Sequence, residues 1–330
     1  MNVLVTGATG FLGSRIVEAL ALDDKISGIV AAGRKLNPLH TVESSKLNYQ
    51  LGDLVDAGYV ELLLEQPIDV IVNCASLSSP WGSYEAFHQA NIVSQANMIA
   101  ASKKAGVQRY VYISTPAVYF NFKNRFNVKE SDPLPQKASN NYAATKLQAE
   151  QLLEKSELSY VTIRPRALIG RGDTVIFPRL IRSYHEGRLK VVGSGDNVVD
   201  LTAVSNVVHS VKLAMHAPED ACGEAYNICN GEPVRLWEAI NYVLGKFDLP
   251  PPKGKVPYAV ASFAAIIMEW KSLLSRSKKE PVLTRQSVGI LARSMTLDIT
   301  KARERLGYEP GQTTWEAIDE FVEWYKTAYQ

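Results

Sequence analysis

The sequence predicts an α/β protein with a doubly wound parallel sheet, covered by helices on both faces and followed by a smaller C-terminal domain. Short runs of β-branched and aromatic residues alternate with helical stretches over the first half of the 330 residues. The first strand leads directly into a glycine-rich turn. After Arg164 the loops lengthen and glycines and prolines cluster, so strands and helices no longer alternate regularly.

The predicted elements follow from this alternation. Strands are expected at residues 2–6, 28–32, 49–51, 69–73, 109–114 and 160–164. Helices are expected from the glycine turn to about Leu22, over 84–104, and over 141–155 with Ser139 or Asn140 as N-cap. Residues 224–229 are expected to return to the main sheet. We therefore place the sheet domain at residues 1–168 and the smaller, substrate-binding domain at 169–330.

Composition and charge exclude several classes of protein. The 46% hydrophobic and 21% charged content is typical of a globular chain. A net charge of +2 without a basic and aromatic stripe argues against nucleic-acid binding. Cys74, Cys222 and Cys229 form no CxxC pair, so neither a disulfide framework nor a metal site is predicted. The first residues lack a secretory pattern, and a cytoplasmic location is expected.

Residues 257–268 form an uncharged run of 12 residues. Basic residues flank it, at Lys253 and Lys255 before it and at Lys271, Arg276, Lys278 and Lys279 after it. The run is shorter than the ~20 residues that span a bilayer. A buried or substrate-covering helix is the favoured interpretation, and a peripheral helix on a membrane surface is the alternative.

The glycines of TGATGFLG follow the first strand at Gly7, Gly10 and Gly13. Gly7 permits a tight turn, Gly10 lets backbone N–H groups approach a pyrophosphate, and Gly13 lets the helix pack closely on the strand. Phe11 and Leu12 belong to the same turn. Because the motif comes directly after an N-terminal apolar strand, it predicts a Rossmann-type dinucleotide site.

The residues after the second strand indicate which dinucleotide binds. That strand ends without the acidic residue that usually binds the ribose of NAD, and Arg34 and Lys35 follow instead. Two cations at this place favour the 2′-phosphate of NADP, although an exposed basic loop is the alternative. Asp53, followed by Leu54, is placed to bind adenine or to form an ordinary turn. Three further residues at the carboxyl edge of the sheet are predicted to line the cofactor: Cys74, Ala75 and Ser76.

Tyr142 and Lys146 are four residues apart in a predicted helix and share one face. A nearby ammonium favours phenolate, so the lysine would lower the pKa of the phenol and let it exchange a proton near neutral pH. A hydroxyl at the end of the fifth strand, Thr115 with Ser114 in reserve, faces the same edge of the sheet. Such hydroxyls are also common as simple caps. The order of these features after the glycine turn predicts an oxidoreductase site.

These motifs resemble those of the extended short-chain dehydrogenase/reductases, and the resemblance covers nearly the whole chain. It implies that Thr115, Tyr142 and Lys146 are catalytic and that Pro165 and Leu168 line the nicotinamide pocket. It also implies a homodimer formed through the helices at 84–104 and 141–155. Asn91 matches a helix asparagine of that family and is expected to brace the sheet.

Two departures separate the chain from the sugar-nucleotide branch of that family. Val199 precedes Asp200 where that branch carries an arginine for the substrate diphosphate, and Pro116-Ala117 replace the Asp-Glu of the dehydratases. The PWGSYE, FHQAN and STP segments resemble the 3β-hydroxysteroid dehydrogenase-like subgroup, and within it the bacterial 2-alkyl-3-oxoalkanoate reductases. The resemblance implies that three aromatic residues lie near the substrate, although a packed cluster is the alternative: Trp81, Tyr84 and His88.

The resulting expectation is an NADP(H)-dependent oxidoreductase that reversibly reduces a ketone on a small hydrophobic substrate. A β-keto acid or a 3-ketosteroid-like compound fits best. Two alternatives stay open, an NAD-dependent sugar-nucleotide epimerase/dehydratase and a non-catalytic protein that senses the dinucleotide.

Overall fold

The computed structural model describes residues 1–275 and 280–329. Arg276, Lys278 and Lys279 of the basic flank predicted above lie outside the described residues. The strands are β1 (Asn2–Thr6), β2 (Gly28–Gly33), β3 (Leu47–Leu51), β4 (Val70–Asn73), β5 (Arg109–Ile113), β6 (Arg125–Val128), β7 (Tyr160–Pro165), β8 (Leu168–Ile169), β9 (Val191–Val192), β10 (Val198–Val199), β11 (Thr202–Ala203), β12 (Glu224–Ile228), β13 (Val234–Arg235), β14 (Lys255–Val256) and β15 (Met295–Leu297).

Helices alternate with these strands. They are α1 (Phe11–Ala21), α2 (Ala57–Leu63), α3 (Tyr84–Phe87), α4 (Ser94–Ala105), α5 (Asn141–Glu154), α6 (Ile176–His185), α7 (Val204–Met215), α8 (Leu236–Gly245), α9 (Tyr258–Leu274), α10 (Arg285–Ala292), α11 (Thr300–Leu306) and α12 (Thr314–Tyr329). A π-helical segment, His88–Val93, joins α3 to α4. Short 3-10 turns form at Pro38–His40, Pro116–Tyr119 and Glu219–Ala221.

The main sheet has seven parallel strands in the order β12-β7-β5-β4-β1-β2-β3. This confirms the predicted doubly wound, Rossmann-type fold. The strand order reverses between β1 and β4, and ligands of such sheets bind at the carboxyl edge beside this switch point. The glycine turn after β1, the end of β4 and the end of β5 therefore meet at one edge.

Apolar residues alternate across the sheet and form two core layers. Val3 and Val5 of β1 pack with Ile16 of α1 and Val207 of α7 on one face. Leu4 packs on the opposite face, in a layer that α4 and α5 also enter. Because both faces are covered at the centre of the sheet, β1 and β4 are largely apolar and buried, and the sequence shows them as continuous apolar runs.

The smaller domain is built from short strands. β13, β10, β15 and β6 form a four-stranded sheet, and β8 pairs with β11 and β9 with β14. β6 precedes α5 in the sequence but joins this second sheet. Conversely, two elements from the C-terminal half of the chain belong to the main sheet: β12 pairs with β7, and α7 packs on the sheet. The chain thus crosses between the two sheets more than once.

Two predicted elements differ from the structure. The helix expected at 84–104 is interrupted by the π-helical segment, which its apolar pattern does not reveal. The buried-helix part of the favoured interpretation of 257–268 is wrong, because α9 leaves most of its large apolar side chains exposed, and the substrate-covering part stays a prediction. Among the residues that the structure describes, no helix is long and apolar enough to cross a membrane.

A buried ion pair fixes α5 to the main sheet. The Arg164 guanidinium of β7 donates from Nε to Glu150 Oε1 of α5 at 3.0 Å, and a second hydrogen bond joins Nη2 to Oε2. Both residues are buried. The short Arg164 contact to the Tyr119 hydroxyl extends this network to the 3-10 turn after β5. The network sets the position of α5 against the edge where β5 ends.

We expect Glu150→Ala to lower the free energy of unfolding by about 3–5 kcal/mol, because Arg164 is left buried without its partner. Urea denaturation followed by circular dichroism measures the change. Glu157→Ala is the control, since Glu157 pairs with Lys103 at 2.9 Å on the surface and should leave stability almost unchanged. Equal effects of the two substitutions would contradict this role of Glu150.

Candidate active site

The first turn of α1 has the geometry of a dinucleotide phosphate site. Gly7 has a φ of +64° and leads into the helix. A Cβ atom at Gly13 would lie 2.1 Å from the Gly7 carbonyl oxygen, so only glycine allows the helix this close to the turn. Within the described chain no side chain caps this helix, whose N-cap is Gly10. Its N–H groups and its dipole therefore remain available to an anion. The predicted glycine roles fit this geometry.

Arg34 and Lys35 lie directly after β2 and are exposed. Neither forms an ion pair with any other described residue, so both charges are free to meet a phosphate. Asp53 uses Oδ1 to accept the Val55 N–H at 3.0 Å, as in an ordinary turn. This leaves its other oxygen for an adenine. Leu54 is buried beside it, and its carbonyl accepts a hydrogen bond from Asn97.

The end of β4 adjoins the glycine turn. A Cβ at Gly7 would lie 2.9 Å from the Ala75 nitrogen. The Ala75 N–H is also directed at the Asn73 side chain, 3.2 Å from Oδ1. Burial raises the pKa of the Cys74 thiol to about 12, so it is no nucleophile near neutral pH. Ser76 is exposed at the same edge.

Tyr142 lies in the first turn of α5. The Asn140 side chain caps this helix by accepting the Ala143 N–H at 2.9 Å, as predicted. Burial raises the pKa of the Tyr142 phenol above its ordinary value of 10, and hydrogen bonding with the Ser78 and Thr115 side chains lowers it. Two hydroxyls, one in the loop after β4 and one directly after β5, therefore meet the phenol, and this arrangement can hold an oxygen atom of a substrate.

Thr115 has two roles at the end of β5. Its Oγ1 accepts the Ala117 N–H at 3.1 Å and so caps the 3-10 turn Pro116–Tyr119. The same side chain forms a hydrogen bond with the Tyr142 phenol and lowers its pKa. The cap fixes the side chain, so the cap and the substrate-holding interpretation are compatible. Ser114 is buried, and its hydroxyl has no hydrogen-bond partner among the described residues.

Lys146 is buried, with 1% of its surface exposed. Its ammonium donates to the Tyr112 hydroxyl at 2.7 Å and to the Ile113 carbonyl at 2.6 Å. Burial lowers the pKa of Lys146 to about 7, and the charge of Glu150 opposes this shift. The ammonium is thus held by β5, and the hydroxyls named above are the groups that lower the Tyr142 pKa.

Of the three aromatic residues predicted near the substrate, two pack against each other. The rings of Tyr84 and His88 are 5.8 Å apart, and the Tyr84 hydroxyl bonds Gln148 of α5 at 3.0 Å. Phe87, which we did not predict, is the residue whose ring lies 6.3 Å from that of Tyr142. Trp81 lies in the preceding loop, where its backbone N–H donates to Ser79 Oγ.

Asn91 braces the loop that carries Ser78. Its side chain accepts the Leu77 N–H at 2.7 Å and donates to Thr145 Oγ1 of α5 at 3.1 Å. Asn91 lies in the π-helical segment, and such segments are frequent near functional sites. The asparagine thus links the loop after β4 to the catalytic helix.

The remaining predicted residues lie at the neighbouring strand ends. Pro165 ends β7 beside Ile228 of β12, and Leu168 pairs with Thr202 across β8 and β11. Asp200 is fully buried, and its Oδ2 accepts the Leu297 N–H at 2.6 Å, which makes it a structural residue.

Comparisons with known proteins show the family to which the chain is similar. The model of the NAD dependent epimerase/dehydratase family matches residues 3–229. A 2-alkyl-3-oxoalkanoate reductase of Stenotrophomonas maltophilia is 33% identical, over 96% of this chain and 97% of that enzyme. A 3β-hydroxysteroid dehydrogenase/decarboxylase of Arabidopsis thaliana is 31% identical, over 97% of this chain and 78% of that protein. The structure of a Bacillus cereus UDP-glucuronic acid 4-epimerase with NAD covers 100% of both chains with a TM-score of 0.77; at 22% identity it shows the fold alone.

We expect Ser78→Ala to raise the pKa of Tyr142, because one of the two hydroxyls that oppose its desolvation is lost. If the phenolate acts as the base in oxidation of an alcohol, the rise of the oxidation rate with pH should move to higher pH. A pH–rate profile of kcat measures the shift. The control is Ser79→Ala, whose hydroxyl donates to the Trp81 carbonyl in the same loop. If both variants shift the profile equally, loop structure and not the Ser78 hydroxyl is responsible.

Proposed function

The chain belongs to the NAD dependent epimerase/dehydratase family, the extended short-chain dehydrogenase/reductases, and we propose that it is an NADP(H)-dependent reductase of ketones on hydrophobic substrates. The observation that carries this proposal is the convergence of the Ser78 and Thr115 side chains on the Tyr142 phenol. Proton exchange with a carbonyl oxygen requires a phenol so placed.

The dinucleotide would bind along the carboxyl edge of the sheet. The α1 N-terminus would hold the pyrophosphate, Arg34 and Lys35 the 2′-phosphate, and Lys146 the nicotinamide ribose. Pro165 and Leu168 would border the nicotinamide. When bound, the cofactor supplies the hydride for reduction and accepts it in the reverse direction. The protein contributes position and the proton.

The proton passes through Tyr142. The Thr115 and Ser78 hydroxyls hold the carbonyl oxygen of the substrate beside the phenol. As the carbonyl carbon is reduced, the oxygen gains negative charge and takes the Tyr142 proton, and Tyr142 becomes phenolate. In the reverse direction the phenolate removes the proton of the alcohol. Each direction restores the form of Tyr142 that the other needs.

The relatives support the substrate class. One is named for the reduction of 2-alkyl-3-oxoalkanoates and the other for the oxidation of 3β-hydroxysteroids. Both substrates place a carbonyl or hydroxyl on a large apolar frame. We therefore propose a β-keto acid or a 3-ketosteroid-like compound as substrate.

The matching family model favours one rival, an NAD-dependent sugar-nucleotide epimerase. The residue before Asp200 argues against it, since Val199 is buried and offers no charge to a diphosphate. An epimerase of this kind keeps its cofactor through the whole reaction. Tightly bound NAD in the purified protein would therefore favour the epimerase over the reductase.

Replacing Tyr142 by Phe should reduce turnover at least ~100-fold, because the general acid is lost while the ring stays in place. Cofactor affinity should change little. Turnover of NADPH with a panel of long-chain β-keto acids and 3-ketosteroids provides the measurement. Tyr308→Phe is the matched control, since that buried phenol donates to the Cys229 carbonyl at 3.0 Å, away from the site. Near-normal turnover of Tyr142→Phe would remove Tyr142 from the mechanism. Cofactor binding without reduction of any panel member would favour a sensor.

Arg34→Ala should weaken NADPH binding roughly 10- to 100-fold, because a charge-assisted contact of about 1.5–3 kcal/mol is lost. NADH carries no 2′-phosphate, so its affinity should stay the same. Lys35→Ala should have the same effect, more weakly. Titration calorimetry with both cofactors measures the preference, with Arg235→Ala as a control for loss of an exposed arginine on β13. If Arg34→Ala weakens both cofactors equally, Arg34 supports the loop and the assignment of NADP fails.

A further inference from the structure

Helix α9 turns its large apolar side chains toward solvent. Phe263 and Trp270 are each 66% exposed, and Leu274 is 80% exposed. Five more apolar residues of the helix are also exposed: Val260, Ile266, Ile267, Met268 and Leu273. Single exposed apolar residues are ordinary, but a group of this size on one helix marks a binding surface.

The buried stripe of α9 is made of small or polar residues. Ala261 and Ala265 face the core at intervals of four, and Glu269 and Ser272 continue the stripe. An ordinary surface helix does the reverse and buries its large apolar residues. Because the small residues of α9 pack against the protein, its large apolar residues are left available to contact a partner outside the described chain.

The single acidic residue of α9 is removed from the exposed face. Glu269 is 8% exposed. Its Oε1 accepts the Arg285 N–H at 2.7 Å, and its Oε2 accepts Arg285 Nε at 2.7 Å. The carboxylate thus satisfies the N-terminus of α10 on the protein side. The outward face of α9 carries no negative charge.

Positive charges border the same face. Lys253, Lys255 and Lys271 are exposed at the two ends of the helix. Aromatic and aliphatic side chains bordered by cations match a bilayer surface, where the chains meet the acyl boundary and the cations meet anionic headgroups.

We propose that α9 lies in the headgroup region of an anionic membrane and holds the protein there as a peripheral protein. The helix has 17 residues, fewer than the ~20 of a span, and its inner stripe is packed on α10. A second copy of the chain fits this face less well. Pairing two copies through α9 would bring two sets of like charges together. This proposal does not depend on the identity of the substrate.

The test uses the full-length protein and vesicles of phosphatidylcholine, with and without phosphatidylglycerol. Co-flotation should show binding to the anionic vesicles and a decrease with added salt, because exposed charges are screened. Phe263→Glu/Trp270→Glu should weaken binding at least ~10-fold, since two apolar anchors are lost. Lys253→Ala/Lys271→Ala should weaken it by roughly 10-fold or more. Trp270 emission should shift to the blue on binding, and the shift should be absent in Trp270→Phe.

A matched control is Leu22→Glu/Leu62→Glu, which changes two exposed leucines, one directly after α1 and one in α2; Leu22 is 82% exposed. It should bind vesicles like the wild type. Ketone reduction in solution should be unchanged in every α9 variant. Failure of the reductase proposal can therefore be distinguished from failure of the membrane proposal. If the glutamate variant does not fold, Phe263→Ser/Trp270→Ser replaces it. Absence of wild-type binding, or equal binding by the α9 variants, overturns the proposal. So does a dimer in lipid-free buffer that the α9 variants dissociate, because the face then belongs to a second copy.

Discussion

The contact between Gly13 and Gly7 determines where the rest of the site can lie. A side chain at Gly13 would meet the Gly7 carbonyl at 2.1 Å, so the helix and the turn could not touch. With hydrogen there, α1 begins directly above the end of the central strand β1. The same turn contacts Ala75 at the end of β4. One close approach therefore aligns a helix dipole with two strand ends, and the catalytic helix α5 and its strand β5 are placed beside that edge.

The chemistry of the site depends on the hydrogen bonds that oppose the effect of burial on the pKa values of two groups. Burial disfavours the charged form of both groups, so it raises the pKa of the Tyr142 phenol and lowers the pKa of Lys146. The phenol is supported by the Ser78 and Thr115 hydroxyls, and the lysine by groups of β5. A general acid needs a pKa that neither releases the proton too early nor holds it too firmly. Hydroxyls adjust this balance without adding a charge to an apolar site.

Sequence alone predicted the parts of the fold whose signal is local. The β1 strand, its glycine turn and the four-residue spacing of Tyr142 and Lys146 each follow from a short pattern. Ser78 was missed because its loop has no periodicity and is held by hydrogen bonds between residues far apart in the sequence: Asn91 accepts the Leu77 N–H, and Asn141 of α5 donates to the Gly82 carbonyl. The two-residue strands of the smaller sheet carry too few residues for a pattern. The orientation of α9 could not be predicted either, since the sequence pattern of an apolar helix is the same whether its large residues face the core or solvent.

The membrane proposal and the proposed reaction meet in the packing around β5. After Thr115 the chain passes through the 3-10 turn to Phe120, and a Cβ at Gly289 of α10 would lie 2.9 Å from that ring. Helix α10 in turn packs on α9. The surface proposed for lipid thus lies one helix away from the residues that follow the catalytic hydroxyl. A large apolar ketone dissolves in a bilayer far better than in water. An enzyme held at that surface meets its substrate where the substrate is concentrated. The substrate then does not need to be transferred into water, which would be unfavourable for a large apolar molecule.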